Sequence, residues 1–477
     1  MNNYQVKIMH NLLKHSKLFL SLIAIIIILS AYFYHFSDIP FVRMDEGVLM
    51  EAPYRLATQG QFGSPMLENG GNQAHYFHIH PPVYYLGLAL TFKQFGFGIF
   101  QGRSLSFFFA IISMFLFFQI LKETGLINKL PLIFVFILWM TTPLFFVLSK
   151  TIRPEILMLL WTCLSYWLLL RWLKYNQNRY VIAGAVINTL MLLTHMYGLP
   201  LFFLWLFELL RKRSWKPCMI FIGMFLLPLI PYIIWIMGDS QAFLHQVIAD
   251  RSEFRVHFIN KVFGLLMLLF TSKKITLMVL MLFGGLIIML RNKLSQIQQH
   301  LLFVSVLFVS QFFVLPKFNE LYFILMLPII LIVWLSLITA KNKKIITTFL
   351  ILVCVVNISG LIKYIYQYRQ FDFKAYQDSL NQYIPNKPNL FVLGPMSLYP
   401  IFHQTHFSAH EAFVLPRDFS RLKKVIQKAN YIVIENYELD NRMKELIINN
   451  KKSITQIISP YYGSEGLSRN NIITIYH

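Results

Sequence analysis

From residue 17 onward the chain alternates long apolar runs with short polar segments. The first run covers 17–33, and others follow near 101–121, 131–148, the stretch ending at Arg171, 181–194, 198–210, 217–237, 275–290, 300–316, the stretch ending at Lys341, and 345–365. A run of ~20 apolar residues is long enough to cross the hydrocarbon core as a helix. The pattern therefore predicts an all-α polytopic membrane protein of about eleven transmembrane helices over residues 1–365. Residues 83–95 and 258–271 suit interfacial helices better than spans. Beyond 366 the apolar runs shorten to strand length, at 389–393, 431–434 and 472–475, and alternate with charge-rich segments such as 421–428. That change predicts a separate soluble α/β domain over 366–477.

Composition agrees with a bilayer. Hydrophobic residues make up 56% of the 477 and charged residues 13%, about half the usual soluble share, and the mean hydropathy is +0.55. The formal net charge of +22 could suggest nucleic acid, but Lys and Arg fall in short clusters between apolar runs, as topology signals do. Loops rich in Lys and Arg stay cytoplasmic. That rule puts inside Lys7, Lys14 and Lys17, Lys122 and Lys129, Arg171, Lys174 and Arg179, the Arg211-Lys212-Arg213 cluster with Lys216, Arg291 and Lys293, and Lys341, Lys343 and Lys344. The first loop (34–99) and the C-terminal domain then lie outside. If 258–271 spans the membrane, every later segment flips. The first apolar run lacks a small-residue cleavage site and reads as a retained signal anchor, in a multi-pass protein of a bacterial inner or plasma membrane. Cys163, Cys218 and Cys354 lie within apolar runs, so no disulfide framework or thiolate metal site is visible.

The threading gathers the unusual polar residues on the outer face. Asp45 and Glu46 adjoin in the first loop, with His78 and His80 downstream; Arg103, Lys150, Arg153, Glu155, His195, Asn319, Glu320 and Tyr322 come from later segments. A carboxylate there can accept a hydroxyl proton, and cations can stabilise a phosphate as it leaves. Cytosolic nucleotide sugars do not reach that face, so a lipid-linked donor is the fitting substrate. Each residue also has a plainer reading: the acidic pair as a helix N-cap, Arg103, Arg153 and His195 as membrane anchors, Tyr322 as part of an aromatic belt. The alternative function is a lipid or solute transporter or flippase without transferase activity. Ionisable residues at mid-membrane depth or repeat symmetry would favour it, and the sequence displays neither. No cofactor is firmly implied. A divalent metal is unsupported, because no Asp-x-Asp lies on that face and two histidines at i, i+2 are too few ligands.

The Asp45-Glu46 pair is followed by Ala52, Leu56 and Gly60, then by His80-Pro81-Pro82-Val83-Tyr84-Tyr85 and Arg103; Thr151-Ile152-Arg153-Pro154-Glu155, Thr194-His195-Met196-Tyr197-Gly198-Leu199-Pro200 and Tyr322 ahead of Leu327-Pro328 continue the pattern. Over roughly 15–340 the chain resembles the integral-membrane glycosyltransferases typified by protein O-mannosyltransferases and the bacterial aminoarabinose transferase acting on lipid A. The resemblance implies a GT-C type fold, a polyprenyl-phosphate sugar donor and inversion at the sugar. Carried over, Asp45 is the general base with Glu46 beside it. Arg103 is the first candidate for the donor phosphate, followed by His80, Arg153 and His195, and Tyr84, Tyr85, Glu155 and Tyr322 line the substrate pocket. Expected partners are the donor, membrane lipids and an acceptor hydroxyl on a lipid, glycan or protein, with no nucleic acid. The sequence departs from the family at His80, where many members have Lys, and at Glu155, where many have Asp. No motif in the C-terminal domain identifies the acceptor.

Overall fold

The computed structural model describes residues 22–40, 44–70, 81–244, 273–291, 294–314, 320–369, 372–409, 419–435, 446–449, 451–459 and 471–477, together with 19, 42, 77 and 246. His78, His80, Asn319 and the segment 258–271 lie outside the described residues.

The apolar runs are helices. In chain order they are α1 (Leu22–Phe33), α2 (Met44–Gln59), α3 (Val83–Phe95), α4 (Ile99–Glu123), α5 (Leu132–Met140), α6 (Pro143–Ser149), α7 (Pro154–Tyr175), α8 (Asn178–Leu192), α9 (Leu199–Arg211), α10 (Trp215–Leu226), α11 (Ile230–Gly238), α12 (Lys273–Leu290), α13 (Gln296–Val314), α14 (Leu327–Leu337) and α15 (Lys343–Tyr368). Among the described residues four helices are long and apolar enough to cross a membrane, or five with the α5–α6 pair, and three shorter apolar helices accompany them. A count of eleven is not reached on these criteria.

The span expected at 131–148 is broken: α5 and α6 meet at 70° across residues 141–142. Pro143 has no N–H for a continuous helix and pushes the preceding residue out of the helical region. Thr142 is accordingly extended (φ −60°, ψ 118°), and Pro143 starts a new helix. By contrast Pro228 sits in a one-turn 3-10 segment (Leu227–Leu229) through which α10 and α11 run on as one 24-residue candidate span.

Helix α7 is the axis of the bundle. It packs along α4 on one side and α8 on another, and 67% of its apolar window is buried, against 11% for the peripheral α10–α11 span. A helix apolar all round belongs at the centre. Trp139, Phe145, Phe146, Trp172 and Trp205 fill the core beside it.

The C-terminal region opens with α16 (Phe373–Asn381), whose N-cap Asp372 accepts the Ala375 N–H at 2.9 Å. It then forms a five-stranded sheet from β1 (Phe391–Gly394), β2 (His406–Ala409), β3 (Tyr431–Glu435), β4 (Ser453–Ser459) and β5 (Asn471–Tyr476), in the order β2-β1-β3-β5-β4. β1 pairs in parallel with β2 and β3, and β5 runs antiparallel to β3 and β4. Between β1 and β2 lie a 3-10 turn (Met396–Leu398) and α17 (Tyr399–Phe402), and α18 (Phe419–Lys428) precedes β3. This region shares a core with the first loop: Leu398, Tyr399, Phe402 and Phe407 pack in one cluster with Leu49, Met50, Ala52, Tyr84 and Tyr85.

Candidate active site

Asp45 and Glu46 occupy the first turn of α2, where carboxylates complement the positive end of the helix dipole. Successive helical residues point about 100° apart, so the two side chains face different surroundings. Glu46 turns inward and is fully buried with Arg103 of α4. The guanidinium grips it bidentately, Nε to Oε1 at 3.1 Å and Nη2 to Oε2 at 2.8 Å. Arg103 Nη1 donates to the carbonyls of Phe36 (3.3 Å) and Ser37 (2.9 Å), and the Ile152 N–H donates to Glu46 Oε1 at 2.9 Å. Arg103, the cation ranked first for the donor phosphate, is therefore engaged on every guanidinium nitrogen within the chain. The pair ties α2, α4, the turn after α1 and the 150–153 segment together.

Asp45 turns the other way. Its side chain is 51% exposed, and Arg153 Nη1 donates to it. The same guanidinium holds Glu155 through Nε–Oε2 (3.1 Å) and Nη2–Oε1 (2.7 Å), and Glu155 is 1% exposed. Pro154 at the first turn of α7 leaves Arg153 extended (φ −145°, ψ 136°), which lets one Arg bridge the helix's own first acid and the start of α2. The geometry thus separates three carboxylates: Glu46 and Glu155 are buried behind arginines, and Asp45, paired with Arg153, is half exposed.

Aromatic groups close the site. The Tyr84 hydroxyl lies 3.1 Å from Ser106 Oγ, and burial pushes its pKa well above the ordinary phenol value, so it stays neutral. Tyr84, Tyr85 and Tyr322 all feel the Arg153 and Glu155 charges. His195 Nδ1 accepts the Tyr197 N–H at 3.4 Å, which leaves Nε2 to carry the proton of a neutral ring and donate to the Tyr322 hydroxyl at 2.8 Å. Tyr197 stacks on Tyr322 with centroids 3.9 Å apart. The Val83 N–H donates to the Leu193 carbonyl at 3.1 Å, so the Pro-Pro-Val-Tyr-Tyr segment is fastened to the turn that carries His195. Among the described candidates Asp45, Glu46, Arg103, Arg153, Glu155, Tyr84, Tyr85 and Tyr322 are drawn together, with His195 joined through Tyr322. No group of three or more metal-ligating side chains occurs among the described residues.

Of three further buried polar groups, the sequence pointed only to Lys150, as one of the outer-face cations and without a specific role. Lys150 Nζ is enclosed, donating to the Tyr34 carbonyl at 3.1 Å and lying 5.0 Å from the centroid of Phe146; burial, together with the nearby Arg103 charge, pushes its ammonium down to about 7. Glu51 in α2 accepts from the Ser64 hydroxyl and from the Met66 N–H (3.1 Å), and burial raises it to about 7. Glu208, buried in α9, binds Arg211 at 2.6 Å and His300 of α13 at 2.9 Å. An acid inside the apolar run 198–210 was the available signal for that cluster, because such a charge in a span needs a partner.

Residues 79–235, about a third of the chain, match the family described as dolichyl-phosphate-mannose-protein mannosyltransferase. The whole fold matches the crystal structure of ArnT from Cupriavidus metallidurans bound to undecaprenyl phosphate, with a TM-score of 0.59 over 95% of this chain and 97% of that one, at 12% identity. The chain has the ArnT fold. No curated protein matches it. The resemblance carried by the motifs is borne out, over 79–235 by sequence and over nearly the whole chain by fold. The mannosyltransferase match includes Arg103, Arg153, Glu155 and His195 and stops short of Asp45, Glu46 and Tyr322. Those three are joined to residues of the matched segment by the contacts above, and apolar helices with these relatives support a multi-pass membrane protein.

Proposed function

We propose that the protein is a glycosyltransferase that moves a sugar from a polyprenyl-phosphate donor to an acceptor hydroxyl at the external face of the membrane, with Asp45 as general base. The observation that carries this reading is the division of the acidic cluster: of three carboxylates held by two arginines, only Asp45 is half exposed. A base must reach the proton it removes. The mannosyltransferase match and the undecaprenyl phosphate bound to ArnT support a lipid-phosphate donor.

In the reaction, Asp45 takes the acceptor's proton as its oxygen bonds the anomeric carbon from the face opposite the phosphate. The sugar–phosphate bond breaks with its electrons, releasing polyprenyl phosphate and inverting the sugar. Of the described cations Arg153 is the better placed to stabilise that phosphate, since it borders the half-exposed Asp45 whereas Arg103 is enclosed. His80 and His195 remain further candidates, and Tyr84, Tyr85 and Tyr322 shape the pocket. Asp45→Asn keeps the shape of the side chain and removes its basicity. In proteoliposomes supplied with a polyprenyl-phosphate sugar, turnover is expected to fall ~10²- to 10⁴-fold while the protein stays folded. Turnover close to wild type would return the acidic pair to a structural role.

A further inference from the structure

We propose that the C-terminal domain is a positioning element of the active site, seating the first turn of α2 through the contact between Gly47 and the Met396 carbonyl; this rests on Asp45 being the base. Gly47 directly follows the Asp45-Glu46 pair, and a methyl group on it would overlap the Met396 carbonyl oxygen and lie 2.8 Å from the carbonyl carbon. Here two backbones touch, so a side chain cannot swing away to make room. The contact is part of a wider seat: Met396, Leu398, Tyr399 and Phe402 pack with Leu49, Met50 and Ala52 of α2. β2, at the edge of the sheet, lies against the 3-10 turn Pro65–Gly70 that follows α2. A separate tether, from the Phe373 N–H to Asp38 Oδ1 at 3.1 Å, fixes the start of the domain to the turn before α2.

The domain therefore meets the catalytic helix on the face opposite to solvent and next to the base. Addition of one methyl at Gly47 forces either the domain or the helix to move, and a shift of about 1 Å at a reacting group costs on the order of 10²-fold in rate.

The test compares Gly47→Ala with Tyr54→Ala in proteoliposomes supplied with a polyprenyl-phosphate sugar. Tyr54 lies two turns further along α2 and contacts Phe97 (4.6 Å between centroids) and His403 (5.3 Å), so its truncation loosens the same interface away from the base. Gly47→Ala is expected to lower kcat by at least about tenfold with donor affinity within about twofold of wild type. Tyr54→Ala is expected to lower the thermal midpoint and keep kcat. If Gly47→Ala keeps its kcat, or if Tyr54→Ala loses as much kcat for an equal loss of stability, the domain is a structural appendage and the proposal fails. Should Gly47→Ala not accumulate as folded protein, Met396→Ala takes its place: it keeps the carbonyl but removes the buried side chain that packs this residue into the cluster shared with α2, the same split is expected, and an unchanged kcat there also overturns the proposal. An active Asp45→Asn would sink the base assignment itself, whereas an inactive Asp45→Asn beside a fully active Gly47→Ala would sink only the seating role.

Discussion

Arg103→Met separates a structural cation from a substrate-binding one. Both Arg103 and Glu46 are 0% exposed, and two parallel hydrogen bonds of 3.1 and 2.8 Å join them. Removing one partner of a buried ion pair leaves the other charge uncompensated and typically costs about 3–5 kcal/mol. Methionine fills much of the arginine's volume, so little of the loss comes from a cavity. Glu46→Gln should cost a similar amount, because it strands the guanidinium between the Phe36 and Ser37 carbonyls. The double substitution removes both charges and should be clearly less destabilised than the sum of the single ones, a coupling of about 2 kcal/mol or more. Thermal unfolding of the purified protein in detergent, followed by tryptophan fluorescence, gives the three values, and binding of undecaprenyl phosphate is measured on the same samples. A fully stable Arg103→Met that has lost lipid-phosphate affinity would refute the reasoning and restore Arg103 as the phosphate cation.

Arg153→Lys preserves the charge but not the fork that reaches Asp45 and Glu155 together; transfer should fall roughly 10²-fold with the protein folded, and a turnover equal to wild type would show that one ammonium suffices. Glu51→Gln should flatten the pH dependence of stability: because burial raises Glu51 from 4.5 to about 7, its contribution is full below pH 4.5 and disappears as pH rises through 7, a loss of about 3 kcal/mol. Unfolding of wild type and Glu51→Gln at pH 5 and pH 8 checks this, and parallel pH slopes would contradict it.

Hydropathy located the helices well, since a run of apolar residues has few other uses. It missed the break at 141–142 because hydropathy is blind to backbone angles, although Pro143 stood in the run as a visible signal. In the C-terminal domain the runs at 389–393, 431–434 and 472–475 became β1, β3 and β5, while β2 and β4 escaped notice: β2 is four residues long, and β4 mixes Ser, Thr and Gln with its isoleucines. The acidic pair was legible as a pair, but its division of labour was not. Which of two neighbours faces inward depends on Arg103, 57 residues away, and on Arg153, 108 residues away. The same distance in sequence hid the Glu208–His300 contact, 92 residues apart.

Three consecutive residues at the start of α2 point to three different parts of the molecule. Asp45 faces Arg153 and the open site, Glu46 faces Arg103 and the turn after α1, and Gly47 faces the Met396 carbonyl. A helical step of about 100° per residue is what lets one turn meet all three. Such a turn is held from behind by an ion pair and from above by a domain, so the proposed base is presented from a frame with little freedom of its own. Preorganisation of this kind reduces the reorganisation left to the moment of reaction. It also fits the way the C-terminal region shares its core with the first loop. The helix that carries Asp45 interleaves Asp, Glu, Arg, Thr and Gln with its apolar residues, so it cannot sink into the apolar bundle, and Leu49, Met50 and Ala52 find their cover in Leu398, Tyr399 and Phe402.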